Sequence, residues 1–412
     1  MKDKLAEGLR PLRSFINWIL LGVVVGVCGG LVGAAFHACV DWANALRGTH
    51  PWLLYLLPAG GVVIALLYKG HSYANTNDVL LATHTQKGLP FLTLPVIFVS
   101  TVITQMLGGS AGKEGAAIQM GGTIGYQLGR LLRLDEKDEH VAVMCGLSAV
   151  FAAVFGTPVT AAFFALEVIS IGAMYYVALI PCMAAVLTAR EMAILMGIPP
   201  LSYSVAIPEF SWKTLWGVLL LALLCAYVSI LFCEGLHKGG RGAKKLIQND
   251  ILRPAVGGAL LIGLTLLSGG TAYNGAGFNL VESAMAGDAP ALAFLLKMLF
   301  TAVTIGFGFR GGEIVPTMAI GATLGCTVAR LLGADPAFFA AIGLISMFCG
   351  MVNCPVASIL LGVELFGVQG LIYYAAACTA AFALSGNYGL YSSQKLLYSK
   401  MKAEFINITI KE

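Results

Sequence analysis

Apolar residues run along this chain in long blocks, and polar residues collect between them. Blocks cover 15–40, 52–68, 91–108, 172–198, 212–235, 255–267, 290–307 and 369–385. Most approach the ~20 residues a helix needs to cross a bilayer. Several are too short, or too broken by Gly and Pro, to cross as plain helices. The pattern predicts an all-α polytopic membrane protein. Basic residues sit before the first block, in "HKGGRGAKK" (237–245) and in the tail from Lys395. The positive-inside rule puts all three in the cytoplasm, so both termini are expected there, on a multi-pass protein of the cell (plasma) membrane.

Composition strengthens this reading. The 412 residues are 58% hydrophobic and 11% charged, with mean hydropathy +0.84. A soluble domain carries roughly 25% charged residues, and no soluble protein of this length hides so much apolar surface. The 50 glycines fit close helix packing in lipid. The N-terminal "MKDKLAEGLRPLR" is charged but lacks a cleavage site of small residues. Net charge +4 gives no reason to expect a nucleic-acid partner. Ten cysteines lie in apolar segments without CxxC spacing and read as small buried hydrophobes. The histidines form no ligand pattern. No metal, no cofactor and no catalytic residue is assigned.

The chain also contains a duplication. "GGTIGYQLGRLLRLD" (121–135) matches "GATLGCTVARLLGAD" (321–335) at an offset of 200 residues without a gap, and "FGTPVTAAFFALEVI" (155–169) matches "VNCPVASILLGVELF" (352–366) at 197. Pro158 answers Pro355, and Glu167 answers Glu364. The expected organisation is a cytoplasmic N-terminus (1–14), a first membrane repeat (15–205), a second (206–394) and a cytoplasmic tail (395–412). Repeats of this kind mark transporter folds, with the substrate site where the halves meet and broken helices aiming backbone N–H groups at an anion.

The chemistry concentrates in "LGGSAGKEGAAIQMGG" (107–122). Lys113 and Glu114 stand side by side among glycines. Its partner in the second half is "GFRGGEIVP" (308–316). Both precede an apolar helix, and Pro316 suits a first helical turn. Two such helix ends facing each other make a positively polarised pocket. A carboxylate at Glu114 would mimic a bound anion there, and could take up a proton and leave. Intramembrane ionisable groups are costly and usually functional. The bland alternatives for Glu114 are a dipole partner or a pair with Lys113. Lys113 itself reads as a snorkelling residue or an anion attractor.

At these residues the chain resembles the CLC family of chloride channels and anion/proton antiporters. "GKEGAAIQMG" (112–121) looks like the family's G(K/R)EGP stretch, "GGEIVP" (311–316) occupies the place of GxFxP, and "GLYSSQ" (389–394) that of a late tyrosine. The resemblance implies an inverted repeat of two halves, a homodimer with one pathway per subunit, Glu114 as the external gating glutamate, and Tyr391 beside the central anion site. Gly112, Gly115 and Val315 fall at anion-binding motif positions, with Thr317 a weaker candidate. No CBS domains are expected after the last span.

Departures narrow the resemblance. No GSGIP occurs; by distance to Glu114 its place is taken by "YANTNDVLL" (73–81), with Asn75 the best match and Asn77 the reserve. Ala116 stands where proline is usual. Val168 occupies the place of the internal glutamate of chloride/proton exchangers. Glu313 is an acid where chloride-type members are apolar, and serves either transport or a helix cap. Together these resemble the fluoride/proton antiporter clade, which carries Asn or Met for the serine and a GGE-x-x-P stretch. Fluoride is small and strongly hydrated, and an amide NH₂ offers two donors to replace its water. Asn75 and Asn77 could equally be helix caps. The expected function is export of fluoride in exchange for protons. The alternative is a chloride-conducting channel or a chloride/proton exchanger. An intramembrane enzyme using Glu114 as a base would need a partner nucleophile or metal beside the motif, and the sequence offers none.

Overall fold

In the computed structural model of the protein, residues 2–411 are described, with side chains from Pro11 onward. The first half contains α1 (Lys2–Thr49), α2 (Leu57–Leu67), α3 (Thr76–Ala82), α4 (Thr93–Leu107), α5 (Glu114–Leu131), α6 (Glu136–Phe155), α7 (Pro158–Glu167) and α8 (Leu179–Leu195). The second contains α9 (Trp212–Leu246), α10 (Leu252–Leu267), α11 (Phe278–Met285), α12 (Ala293–Gly306), α13 (Ile314–Leu332), α14 (Pro336–Val352), α15 (Pro355–Phe366) and α16 (Leu371–Leu384). Among the described residues, five segments, in α1, α6, α8, α9 and α13, are long and apolar enough to cross a membrane. The shorter apolar helices are the broken ones.

Matched residues of the duplication do matched work. Asp135 and Asp335 cap α6 and α14, accepting from Asp138 N (2.9 Å) and Phe338 N (2.7 Å). Glu167, at the end of α7, accepts from the backbone of Val356 (3.1 Å) and Ala357 (2.8 Å) at the start of α15. Glu364 returns the contact, accepting from Val159 and Thr160 at the start of α7, both at 2.9 Å. Each carboxylate satisfies orphan N–H groups of the opposite repeat. Such reciprocity is what a twofold axis between two halves produces.

Small residues set how closely helices pack. A Cβ on Gly121 of α5 would overlap the Gly146 carbonyl of α6, and one on Gly321 of α13 the Gly343 carbonyl of α14.

The fold is mostly helical, with one addition that the hydropathy pattern does not signal. The tail forms β2 (Lys395–Tyr398) and β3 (Phe405–Thr409), paired antiparallel, and β2 pairs parallel with β1 (Ser170–Ile171) of the first half. Lys400 donates to Asn353 and, at 2.8 Å, to Ser385 Oγ. The tail is therefore docked on both halves.

Candidate functional site

The two glycine loops that open α5 and α13 meet directly. Gly112 N donates to Gly312 O at 2.6 Å, and Gly312 N to Gly112 O at 2.9 Å, an isolated antiparallel bridge. The carboxylate of Glu114 lies folded over this junction and is 0% exposed. A Cβ on either Gly112 or Gly312 would overlap that carboxylate, and one on Gly115 would stand 2.7 Å from Gly311 O. Only glycine allows the two backbones and the carboxylate to share the space. Neither Glu114 oxygen has a hydrogen bond of proper geometry. Backbone N–H groups of Glu114 itself, Lys113 and Val315 are the donors around it. An anion-shaped side chain thus occupies the meeting point of two helix N-termini.

The α5 loop is braced from behind. Gln105 Nε2 donates to Ala111 O (2.5 Å), and Ser110 N to Thr304 Oγ1 (3.0 Å). The buried Lys297 ammonium donates to Ser110 Oγ at 2.9 Å, to Gly275 O at 2.7 Å and to Tyr273 O at 3.1 Å.

A cavity of about 190 Å³ lies beside the junction, lined by Asn75, Thr76, Asn77, Ile97, Gln119, Ile305, Phe309, Arg310, Gly311, Glu313, Leu390 and Tyr391. Asn75 is indeed a helix cap: Asp78 N donates to its Oδ1 (3.0 Å), and its own N–H donates to Asp78 Oδ2 (2.9 Å). Asn77 Oδ1 accepts from Ser393 N (3.1 Å) and Ser393 Oγ (3.0 Å), tying α3 to the loop after Tyr391. Both amide oxygens are engaged within the protein, which leaves the NH₂ groups as what these residues can offer an anion.

Glu313 stands at the N-cap of α13, yet its side chain makes no cap hydrogen bond. It lines the cavity instead. Tyr391 is buried on the cavity wall, within electrostatic reach of Glu313 and Glu114.

Two candidates turn elsewhere. Lys113 does not pair with its sequence neighbour Glu114. Its Nζ lies 2.9 Å from His37 Nδ1 and 3.7 Å from Asp41 Oδ1, both on α1. Thr317 donates its hydroxyl to Glu313 O at 2.7 Å, one turn back in its own helix.

Sequence reasoning missed Gly312, Gln119, Arg310 and Lys297. The duplication offset alone would have found Gly312, since it matches Gly112 at the offset of 200. Gln119 donates to Thr76 Oγ1 at 3.1 Å and joins α5 to α3.

The profile described as voltage gated chloride channel matches residues 60–386. A chloride/fluoride channel protein of Pseudomonas syringae pathovar tomato is 36% identical over 97% of this chain and 91% of its own length. This chain is a member of the CLC family. It is accordingly a multi-pass membrane protein. Among solved CLC structures, a CLC-type fluoride/proton antiporter superposes with TM-score 0.88 at 33% identity, covering 92% of this chain and 98% of the other. A slow cyanobacterial Cl⁻/H⁺ antiporter gives TM-score 0.76 at 22% identity over 89% and 94%, which speaks to the fold alone. An H⁺/Cl⁻ exchange transporter of Vibrio vulnificus is 25% identical over 88% of this chain and 85% of its length. The inverted-repeat fold expected from the motifs is the CLC fold observed here.

Proposed function

We propose that this CLC protein exports fluoride from the cytoplasm in exchange for protons entering from outside. One observation carries the reading: the buried Glu114 carboxylate occupies the junction of two helix N-termini without a fixed hydrogen bond. A group held only by backbone dipoles can be displaced by an anion of similar charge. Once out of the junction, it can pick up a proton, and return as a neutral acid or as the competing anion. Alternation of this kind links one proton to one swing of the gate.

The specificity reading rests on the cavity. Asn75 is assigned the selective NH₂, Asn77 stands in reserve, Tyr391 borders the anion, and Glu313 is a second proton-carrying candidate. Gly112, Gly115 and the Val315 N–H frame the outer station. Fluoride's tight hydration demands closely placed donors, which amides and backbone N–H groups provide. Likeness to the fluoride/proton antiporter structure supports the same reading. Fluoride accumulates in cells because it enters as neutral HF and is trapped as the anion, so export driven by protons is a coherent task.

We further propose repeats bounded at 15–205 and 206–394, a homodimer with one pathway per subunit, plasma-membrane residence, and both termini cytoplasmic. A chloride channel or chloride/proton exchanger is the second reading, favoured by the chloride in the names of several relatives. The buried Val168, without a titratable group, speaks against a chloride/proton exchanger of the usual kind. Proteoliposomes read by fluoride, chloride and pH electrodes together decide. Coupled fluoride and proton fluxes are expected; equal or greater chloride flux would overturn fluoride selectivity.

A further inference from the structure

Arg310 precedes the "GGE" of the second motif, and it belongs to two spaces at once. It lines the cavity that holds Asn75, Glu313 and Tyr391. It also lines a larger chamber of about 760 Å³ built from the end of α2, the segment 68–73 and the start of α10. The rim of that chamber includes the exposed Lys69 and His71. Its far wall, Asn249–Pro254, follows the basic segment 237–245 by a few residues, so the chamber opens to the side those residues occupy, the cytoplasm under the proposed orientation.

The charges around this chamber do not cancel. Among the described residues Asp250 is its one acid, and Arg253 is bonded to it at 2.8 Å. Among the described residues no carboxylate pairs with Arg310 or Lys69. The Arg310 guanidinium carbon lies over the Tyr68 ring, 4.1 Å from its centroid, and Tyr68 packs edge-on against Tyr73. Its Nε is buried without a hydrogen-bond partner. Arg310 is partly buried, lies on an aromatic ring and keeps a buried donor free, so its charge is available to an anion that enters from the chamber.

We propose that Arg310 is the cytoplasmic capture residue for the transported anion. Lys69 on the rim draws a hydrated monovalent anion into the chamber. Arg310, on the wall shared with the inner cavity, replaces part of its water with charge-assisted N–H donors. The anion then passes to the amide, tyrosine and carboxylate cavity beyond. Stacking on Tyr68 keeps the guanidinium from swinging away with its ligand. This inference rests on the transport reading above, and names the residue that loads the pathway from inside.

The test uses everted membrane vesicles, whose cytoplasmic face is outward, from cells without another fluoride exporter. Initial fluoride uptake is measured against external fluoride with an outward proton gradient, normalised to protein by immunoblot. Arg310→Met removes the charge and keeps an unbranched side chain to lie on Tyr68. It is expected to raise the half-saturating fluoride concentration about tenfold, with protons moved per fluoride unaltered. Arg310→Lys should fall between the two, and the rim variant Lys69→Met should raise half-saturation by about twofold at low salt and not at high salt. An unchanged half-saturation in Arg310→Met overturns the proposal. If that variant fails to accumulate, an unchanged value in both Arg310→Lys and Lys69→Met overturns it equally. Wild-type vesicles that take up no fluoride would instead sink the transport reading itself, and the fluoride-capture role with it.

Discussion

Gly112 and Gly312 exchange both of their backbone hydrogen bonds, N to O at 2.6 and 2.9 Å, directly beneath the Glu114 carboxylate. Matched positions of a duplicated sequence thus form the floor on which the Glu114 side chain rests. A methyl group on either residue needs the volume the carboxylate already fills. Gly112→Ala and Gly312→Ala should each displace Glu114 and cut coupled fluoride flux at least about tenfold, the scale of overpacking in a tight site. Flux measured in proteoliposomes checks this, and wild-type flux in both variants would mean that the observed carboxylate position is not on the transport cycle.

The cap role of Asn75 sharpens the selectivity experiment. Serine also caps helices, so Asn75→Ser keeps α3 and removes the NH₂. The fluoride preference over chloride should fall by about tenfold, read as the ratio of the two electrode signals. A silent Asn75→Ser beside an active Asn77→Ser moves the selective amide two residues along. Silence in both clears this segment of the task.

Glu313 can be separated from a capping role without any flux assay. Its side chain makes no cap bond, so Glu313→Gln should change thermal stability in detergent by no more than about 0.5 kcal/mol. A true cap would lose about 1 kcal/mol. Proton movement per fluoride should change in the same variant; a stable protein with unaltered coupling removes Glu313 from the proton route.

Glu167 and Glu364 behave oppositely. Each accepts two backbone N–H groups from the other repeat. Glu364→Gln turns one acceptor into a donor facing a donor and should cost about 1–3 kcal/mol. Thermal unfolding should detect this, while the protein that remains folded keeps its proton coupling. Loss of coupling at full stability would assign this pair to transport instead.

Much of this was legible in the chain. Each long apolar block became a helix, because burial in lipid leaves the backbone no other way to satisfy itself. The duplication predicted matched halves, and its matched residues Asp135/Asp335 and Glu167/Glu364 make equivalent bonds. Glu114 stood out as an acid among glycines. Contacts between distant segments were not legible. Nothing in "GKEG" says that Lys113 turns to His37 and Asp41 on α1 rather than to Glu114. Nothing local joins Asn77 to Ser393, or lays Arg310 on Tyr68. The tail read only as a cytoplasmic segment, without its strands, because its strand partner, Ser170–Ile171, lies far back in the first half.

Whether Glu114 carries the proton is read most directly from Glu114→Gln in proteoliposomes supplied with a pH gradient alone. Glutamine fills nearly the same volume at the junction but cannot titrate. Proton movement should cease, and fluoride should no longer be driven against its gradient. Fluoride still pumped uphill by Glu114→Gln would remove Glu114 from the proton route and make Glu313 the first acid to examine.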